Sequence, residues 1–283
     1  MKALDRRLNA FRPDLADKRL EGRVEAGRFV EGAMFHVSAP VAKVHAAPDA
    51  SSGMDTQFLH GEELRVFDRN NGWAWIQGER DSYVGYVPES SIDEDGYRAT
   101  HIVCVPRTFA YPEPDLKKPA ANAQSMGALV TVTGETEVRG TRYALLDDGR
   151  AMIARHLSPI GDVADDYVAM AEMFLHTPYL WGGASGFGID CSGLVQLSMR
   201  MAGRNVPRDT DMQAESIGEA LDLKEPPQRG DLIFWRGHVA IFTTSDEIIH
   251  ANGHTMTVSR EPLADAIGRI GPLYGQPTSM RRP

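Results

Sequence analysis

The chain has 283 residues, room for two or three domains, with 42% hydrophobic and 24% charged residues and a net charge of −9. That acidity argues against a nucleic-acid groove and against a surface held to anionic membranes or wall polymers by charge. No apolar run is long enough for a signal-peptide core or a membrane span, so no membrane partner is expected and the sequence reads as cytoplasmic.

Residues 1–27 alternate charge with few apolar anchors and read as an N-terminal arm laid over another domain. Residues 28–95 break into short strands: Met34–Val37, Ala42–His45, Glu63–Phe67, Trp73–Ile76 and Val84–Pro88, with Asn70-Asn71-Gly72 as a tight turn. This pattern predicts a small barrel. The stretches Gly72-Trp73-Ala74-Trp75-Ile76 and Tyr83-Val84-Gly85-Tyr86-Val87-Pro88 resemble bacterial SH3-like domains. Residues 96–160 repeat the pattern and predict a second barrel. His101–Pro106 opens it, Gln124–Val132 echoes Gln57–Val66, and Tyr143–Arg150 with Ala151–Ala154 forms a hairpin across Asp148-Gly149. Leu157–Ile160 parallels Glu89–Ile92, and the prolines and lysines between Pro112 and Pro119 mark a surface loop.

From residue 161 the period changes. Val163, Tyr167, Met170, Ala171 and Phe174 predict a helix over Asp162–His176, capped by Asp162 and stopped before Pro178. Gly182 to Gly193 is a glycine-rich loop running into Asp190-Cys191-Ser192; no Gly-Lys-Ser/Thr follows, so it is not a phosphate loop. The apolar segment from Leu194 to Met201 predicts a helix starting at or beside Cys191. A thiol there feels the positive end of the helix dipole, which lowers its pKa and favours the nucleophilic thiolate. A Cys104–Cys191 disulfide would consume that nucleophile. A further helix is predicted over Met212–Leu221. Gly230–Trp235, His238–Thr244 and Glu247–Ala251 read as strands. A hairpin centred on Thr244 sets His238 directly opposite His250 on one sheet face. One imidazole then serves as base for the thiol while the other holds its tautomer. Taken blind, a lone Cys is more often core, and a strand-end His is more often satisfied by backbone. The glycine context and the paired histidines favour chemistry. Helices followed by an antiparallel sheet make this region α+β.

Tyr179-Leu180-Trp181-Gly182-Gly183, Asp190-Cys191-Ser192-Gly193-Leu194-Val195, Gly230-Asp231-Leu232-Ile233-Phe234, Gly237-His238-Val239-Ala240-Ile241 and Ile249-His250-Ala251 stand in order. With these blocks, the chain from Asp162 onward resembles the NlpC-type papain-like cysteine peptidases that cut bacterial cell-wall peptides. The resemblance implies an α+β papain-like catalytic domain over residues 161–283, preceded by two small all-β SH3-like barrels. It implies a triad of Cys191, His238 and His250, with no cofactor and no metal. The substrate it implies is a murein-derived peptide with an unblocked N-terminal L-Ala. Cleavage falls between γ-D-glutamate and the third residue, meso-diaminopimelate or L-lysine, and releases L-Ala-γ-D-Glu. Such a substrate needs an anionic pocket for its ammonium group. In this reading Asp190 supplies one anion, Ser192 a hydrogen-bond partner, and Tyr179 a second oxyanion donor beside the Cys191 N–H. Asp55 or Glu62, and Tyr83 or Tyr86, are the first-barrel candidates for narrowing the cleft. Arg208 either meets a substrate carboxylate, stays solvated, or pairs with Asp209 or Asp211. The rival readings are an exported wall endopeptidase whose barrels bind the wall, a non-catalytic wall-peptide binder, and a zinc site at Cys191, His238 and His250. The last lacks a Cys-x-x-Cys pair, a His-Glu-x-x-His motif and a general-base carboxylate.

Overall fold

The computed structural model describes residues 4–94 and 96–283, so the first three residues of the predicted arm and the expected boundary at Asp95 lie outside the description. The chain divides into two units, Met1–Ile160 and Gly161–Pro283.

In the first unit, Asn71 and Gly72 both take positive φ between the paired residues Asn70 and Trp73. That turn twists with its strands, as the Asn-Gly signal requires. The sheet it belongs to runs in the order Met54–Leu59, Val41–His45, Val84–Pro88, Trp73–Gly78, Glu63–Asn70, Ala33–Val37, Ile92–Glu94. Alternate residues face inward, and Phe35, Val44, Leu64, Ile76 and Val87 share one buried cluster. Met54–Leu59 escapes the sequence reading because Asp55, Thr56 and Gln57 mask its strand pattern.

The arm has stronger anchors than its composition implies. Ala10 and Leu15 are buried with Phe67 and Trp75. Ala16–Asp17 pairs in parallel with Phe29–Val30, and the Val84 N–H donates to the Arg7 carbonyl at 2.8 Å. The Arg12 guanidinium lies 4.5 Å over the Trp75 ring and donates to Asp68 at 2.7 Å and to the Tyr86 hydroxyl at 3.2 Å.

Residues beyond 96 form two further sheets. One has the order Asn122–Ser125, Arg107–Tyr111, Ala151–Ile153, Thr141–Leu146, Val132–Val138; the other has Leu129–Val130, His101–Val103, Leu157–Pro159. The hairpin across Asp148-Gly149 forms, with Leu145 paired to Ala151. The internal parallel is offset from the predicted one: Ala154–His156 matches Glu89–Ser91, each a single tight helical turn entering a short strand.

In the second unit, α1 covers only Tyr167–Glu172. Asp166, not Asp162, caps it by accepting the Val168 N–H at 2.8 Å, and Val163 is 51% exposed. Helix α2 spans Cys191–Met201 and is buried on nearly every side. Helix α3 spans Thr210–Ser216 and ends before the predicted Leu221. Gly218 stops it at φ +49°, where a Cβ would collide with the Arg282 carbonyl. The chain then pairs Glu219–Leu221 with Ser279–Arg282. Those strands join an antiparallel six-stranded sheet in the order Glu219–Leu221, Ser279–Arg282, Leu232–Trp235, His238–Phe242, Glu247–Asn252, Thr257–Pro262. Helix α4, Leu263–Tyr274, packs Ala266 and Ile270 against Ile233, Trp235, Phe242, Ile248 and Met280. No helix among the described residues is long and apolar enough to cross a membrane.

Candidate active site

Asp190 ends the glycine loop and caps α2. One carboxylate oxygen accepts the Gly193 N–H at 2.7 Å, and the other accepts the Gly182 N–H at 3.0 Å. Cys191 is therefore the first residue of α2. The loop closes tightly only without side chains. A Cβ on Gly183 would lie 2.5 Å from the Gly188 carbonyl, and one on Gly193 would run into the Gly183 carbonyl. The glycines bring backbone against backbone here. Gly193→Ala is expected to cost about 1–3 kcal/mol of stability through this overlap and to displace the thiol; thermal unfolding together with Cys191 alkylation checks both effects.

The Cys191 thiol is buried, with Sγ 3.9 Å from Thr210 Oγ1 at the start of α3. The Val239 backbone N–H lies near enough to favour the thiolate, which places the sulfur by the start of the His238–Phe242 strand. Burial, and after it the Asp190 carboxylate, push the thiol up to about 11, against smaller help from Val239, Thr210 and Arg208. The expected lowering by the helix dipole is outweighed in the resting site.

The hairpin registers one residue later than predicted. Ile241 pairs with Ile249 and Phe242 with Ile248, so the same register continued would set Asn252 opposite His238. A partner shift of two residues preserves the sheet face. The two imidazoles meet diagonally, with His238 Nε2 2.8 Å from His250 Nδ1 and ring centroids 5.0 Å apart. Burial, and next the neighbouring His250, push His238 down to about 3. Burial thus works against the charged form of both groups. Behind them, Glu261 Oε1 stands 2.7 Å from His250 Nε2, close but out of line with the ring N–H, and Arg269 pairs with the same carboxylate oxygen. Burial raises the Glu261 carboxyl, but His250 and Arg269 outweigh it and hold it below the ordinary range, so it is an anion.

Arg208 is 1% exposed, and its fork closes on Asp190. Nη1 donates to Asp190 Oδ1 at 3.0 Å and to Ser192 Oγ at 2.8 Å; Nη2 donates to Asp190 Oδ2 at 2.6 Å and to the Gly183 carbonyl at 3.3 Å. This corrects three expectations. Arg208 is not turned out to a substrate carboxylate. The Asp190 charge is balanced and its acceptor positions are occupied, so it is no open anion for an ammonium group. The Ser192 hydroxyl is taken up in the same network. Tyr179 is half-buried; burial, and then the charges at Cys191 and Asp190, hold its phenol above the ordinary range, so it stays an O–H donor. Within the first unit, Tyr83 belongs to the buried cluster, Tyr86 accepts from Arg12, Glu62 is buried with Arg80 Nη2 at 3.4 Å, and Asp55 is half-buried on the Met54–Leu59 strand. Thr210 and Glu261 are the site residues that the sequence reading missed. Among the described residues no three His, Cys, Asp or Glu side chains are grouped to hold a metal ion.

Residues 176–267 match the NlpC/P60 family, and residues 44–92 match the bacterial dipeptidyl-peptidase Sh3 domain. A protein of Bacillus subtilis strain 168 named gamma-D-glutamyl-L-lysine dipeptidyl-peptidase is 35% identical over 220 residues, covering 70% of this chain and 72% of that protein. One of the same name from Bacillus cereus is 28% identical over 242 residues, covering 74% of this chain and 71% of that protein. The crystal structure of an NlpC/P60 family protein from Bacillus cereus ATCC 10987 superposes with a TM-score of 0.75 at 23% identity, over 88% of this chain and 99% of that one. That likeness is one of fold.

Proposed function

This chain belongs to the NlpC/P60 family of cysteine peptidases, and we propose that it hydrolyses the γ-D-glutamyl–diamino acid bond of free murein stem peptides, releasing L-Ala-γ-D-Glu. The fold is the papain-like one of that family, joined to an SH3-like N-terminal domain. We read residues 1–27 as the arm, 28–95 as the first barrel, 96–160 as a second SH3-like barrel and 161–283 as the catalytic domain. The second barrel draws support from the shared turn-and-strand entry at Glu89 and Ala154. The observation that carries the activity is the contact of His238 with His250 at the strand end where Val239 meets the Cys191 sulfur.

The chemistry runs as acyl transfer. The Cys191 S–H proton passes to His238 Nδ1, the ring nitrogen left over once Nε2 faces His250. The thiolate attacks the γ-carbonyl carbon. The Cys191 N–H, which as first residue of α2 has no acceptor inside the helix, donates to the oxyanion together with the Tyr179 phenol. The His238 proton goes to the leaving amine of the diamino acid. Water then gives a proton to His238 and its oxygen attacks the thioester, which frees the dipeptide and restores the thiol. Lysine and meso-diaminopimelate both present the required amine. Asp55 and Glu62 are proposed as further anions for the L-Ala ammonium group.

The test compares L-Ala-γ-D-Glu-L-Lys with its N-acetyl form. Acetylation is expected to lower kcat/KM by at least ~10²-fold, the scale of leaving a desolvated charge without its partner. Equal rates on the two peptides overturn the free-amine reading, and comparable cleavage of intact sacculi favours a wall endopeptidase instead.

A further inference from the structure

We propose that Glu261 is a positioning residue for the imidazole pair: it fixes the tautomers of His250 and His238, and its charge enlarges the fraction of Cys191 held as a thiolate–imidazolium pair. The inference rests on the reading of Cys191 as nucleophile and His238 as base.

Strand geometry brings the carboxylate to the ring. His250 pairs with Ser259 on the neighbouring strand, and Glu261 lies two residues further along, on the same face and diagonal to His250. An ionised carboxylate only accepts hydrogen bonds. With the Oε1 anion at 2.7 Å, though out of line with the ring N–H, electrostatics favour the state of His250 that carries its proton on Nε2. Its Nδ1 is then a lone pair, and the 2.8 Å contact with His238 is favourable only if His238 Nε2 bears the other proton. His238 Nδ1 is left unprotonated, which is the state a base for the thiol needs. Without an acceptor behind it, His250 can carry its proton on Nδ1 and donate to His238 Nε2. His238 would then hold its own proton on Nδ1, and the base would be gone.

The charge acts in the same direction. When the thiol proton reaches His238, the imidazolium gains an anion one ring away. The charged and titratable groups around it are Cys191 on α2 with Asp190 beside it, Arg208 closed on Asp190, Tyr179, His250, Glu261 and Arg269 on α4. Arg269 opposes the imidazolium and also holds Glu261 in place.

Alkylation of Cys191 by iodoacetamide in the full chain tests this without any substrate. The rate is followed from acid to alkaline pH and read on the Cys191 peptide by mass spectrometry, because Cys104 is also a free thiol. The wild-type profile should show a neutral-pH shoulder from the ion pair below the rise due to simple thiol ionisation. Glu261→Gln should lower that shoulder about tenfold, the equivalent of one pKa unit, and leave the alkaline limit unchanged. Nitrogen-15 spectra should show the His238 proton moving from Nε2 toward Nδ1 in Glu261→Ala, which leaves no acceptor behind His250, whereas Glu261→Gln keeps a carbonyl acceptor and tests the charge alone. A shoulder of unchanged height overturns the proposal, as does a parallel fall of shoulder and alkaline limit, which would report lost access to the thiol. A wild-type profile with no shoulder removes the Cys191–His238 pairing itself, and the proposal with it.

Discussion

Cys191→Ala is expected to lower kcat/KM on L-Ala-γ-D-Glu-L-Lys by roughly 10⁴-fold or more while leaving the protein folded. The residue holds the start of α2, but the contacts that build that start belong to its neighbours. Asp190 takes the N–H groups of Gly193 and Gly182, and Arg208 locks Asp190 from behind. Alanine keeps the backbone and deletes one buried sulfur whose polar side-chain partner among the described residues is Thr210, at 3.9 Å. The cost of that deletion is about 1 kcal/mol. It also removes a thiol that burial and Asp190 hold up near 11, so no favourable charge is lost from the resting state. The kinetic effect is large because the other groups act on the sulfur: His238 takes its proton, and the donors at Cys191 and Tyr179 act on the oxyanion that the attack creates. Release of the dipeptide, followed by chromatography, and a thermal melt of the same sample decide the matter. Turnover within tenfold of wild type in a folded Cys191→Ala protein would end the nucleophile assignment.

The parts of this site that are legible in sequence are those set by local rules. The helix at Cys191 follows from a glycine-rich stop and an unbroken apolar run, both within twenty residues. The two histidines fall on one sheet face because strand alternation has period two, and a slip of two partners leaves the face unchanged even though the turn centre is one residue later than Thr244. What stays hidden depends on partners distant in sequence. Asp190 reads as an open anion and Arg208 as a partner for a substrate carboxylate, for solvent or for Asp209 or Asp211, and only the packing of α2 against the segment leading to α3 shows that they satisfy one another. Glu261 sits on a strand, Thr257–Pro262, whose alternating Ser, Glu and Arg content looks like a solvated edge. Helix α4 is masked by Gly268, Gly271 and Pro272. The over-long reading of α3 runs past Gly218, whose backbone at φ +49° has already left the helix, and that of α1 starts early because Val163 keeps helical spacing although the cap is Asp166.

Arg208→Ala is expected to destabilise the second unit by about 3–5 kcal/mol, the range for removing one partner of a buried ion pair. The side chains of Arg208 and Asp190 are 1% and 12% exposed, so the Asp190 carboxylate would lose its counter-charge in a largely desolvated position. The carboxylate would keep its two backbone N–H bonds but lose both guanidinium bonds, and Ser192 Oγ and the Gly183 carbonyl would each lose a donor. Arg208→Lys should fall between the two, because a single ammonium cannot span both carboxylate oxygens and the carbonyl at once. Hydrogen exchange at the α2 amides measures the opening free energy of this unit within the full chain. Protection lower by less than tenfold in Arg208→Ala would mean that the pair contributes no more than an exposed salt bridge. The sign of the double replacement separates charge from capping. Arg208→Met with Asp190→Asn leaves no buried charge and keeps a side-chain acceptor for the Gly193 N–H. It should recover a large part of the stability lost in Arg208→Ala, whereas Arg208→Met with Asp190→Leu, which leaves the Gly193 and Gly182 N–H groups without an acceptor, should not. If both doubles recover equally, the capping bonds contribute little, and the loss in Arg208→Ala is that of an uncompensated buried charge.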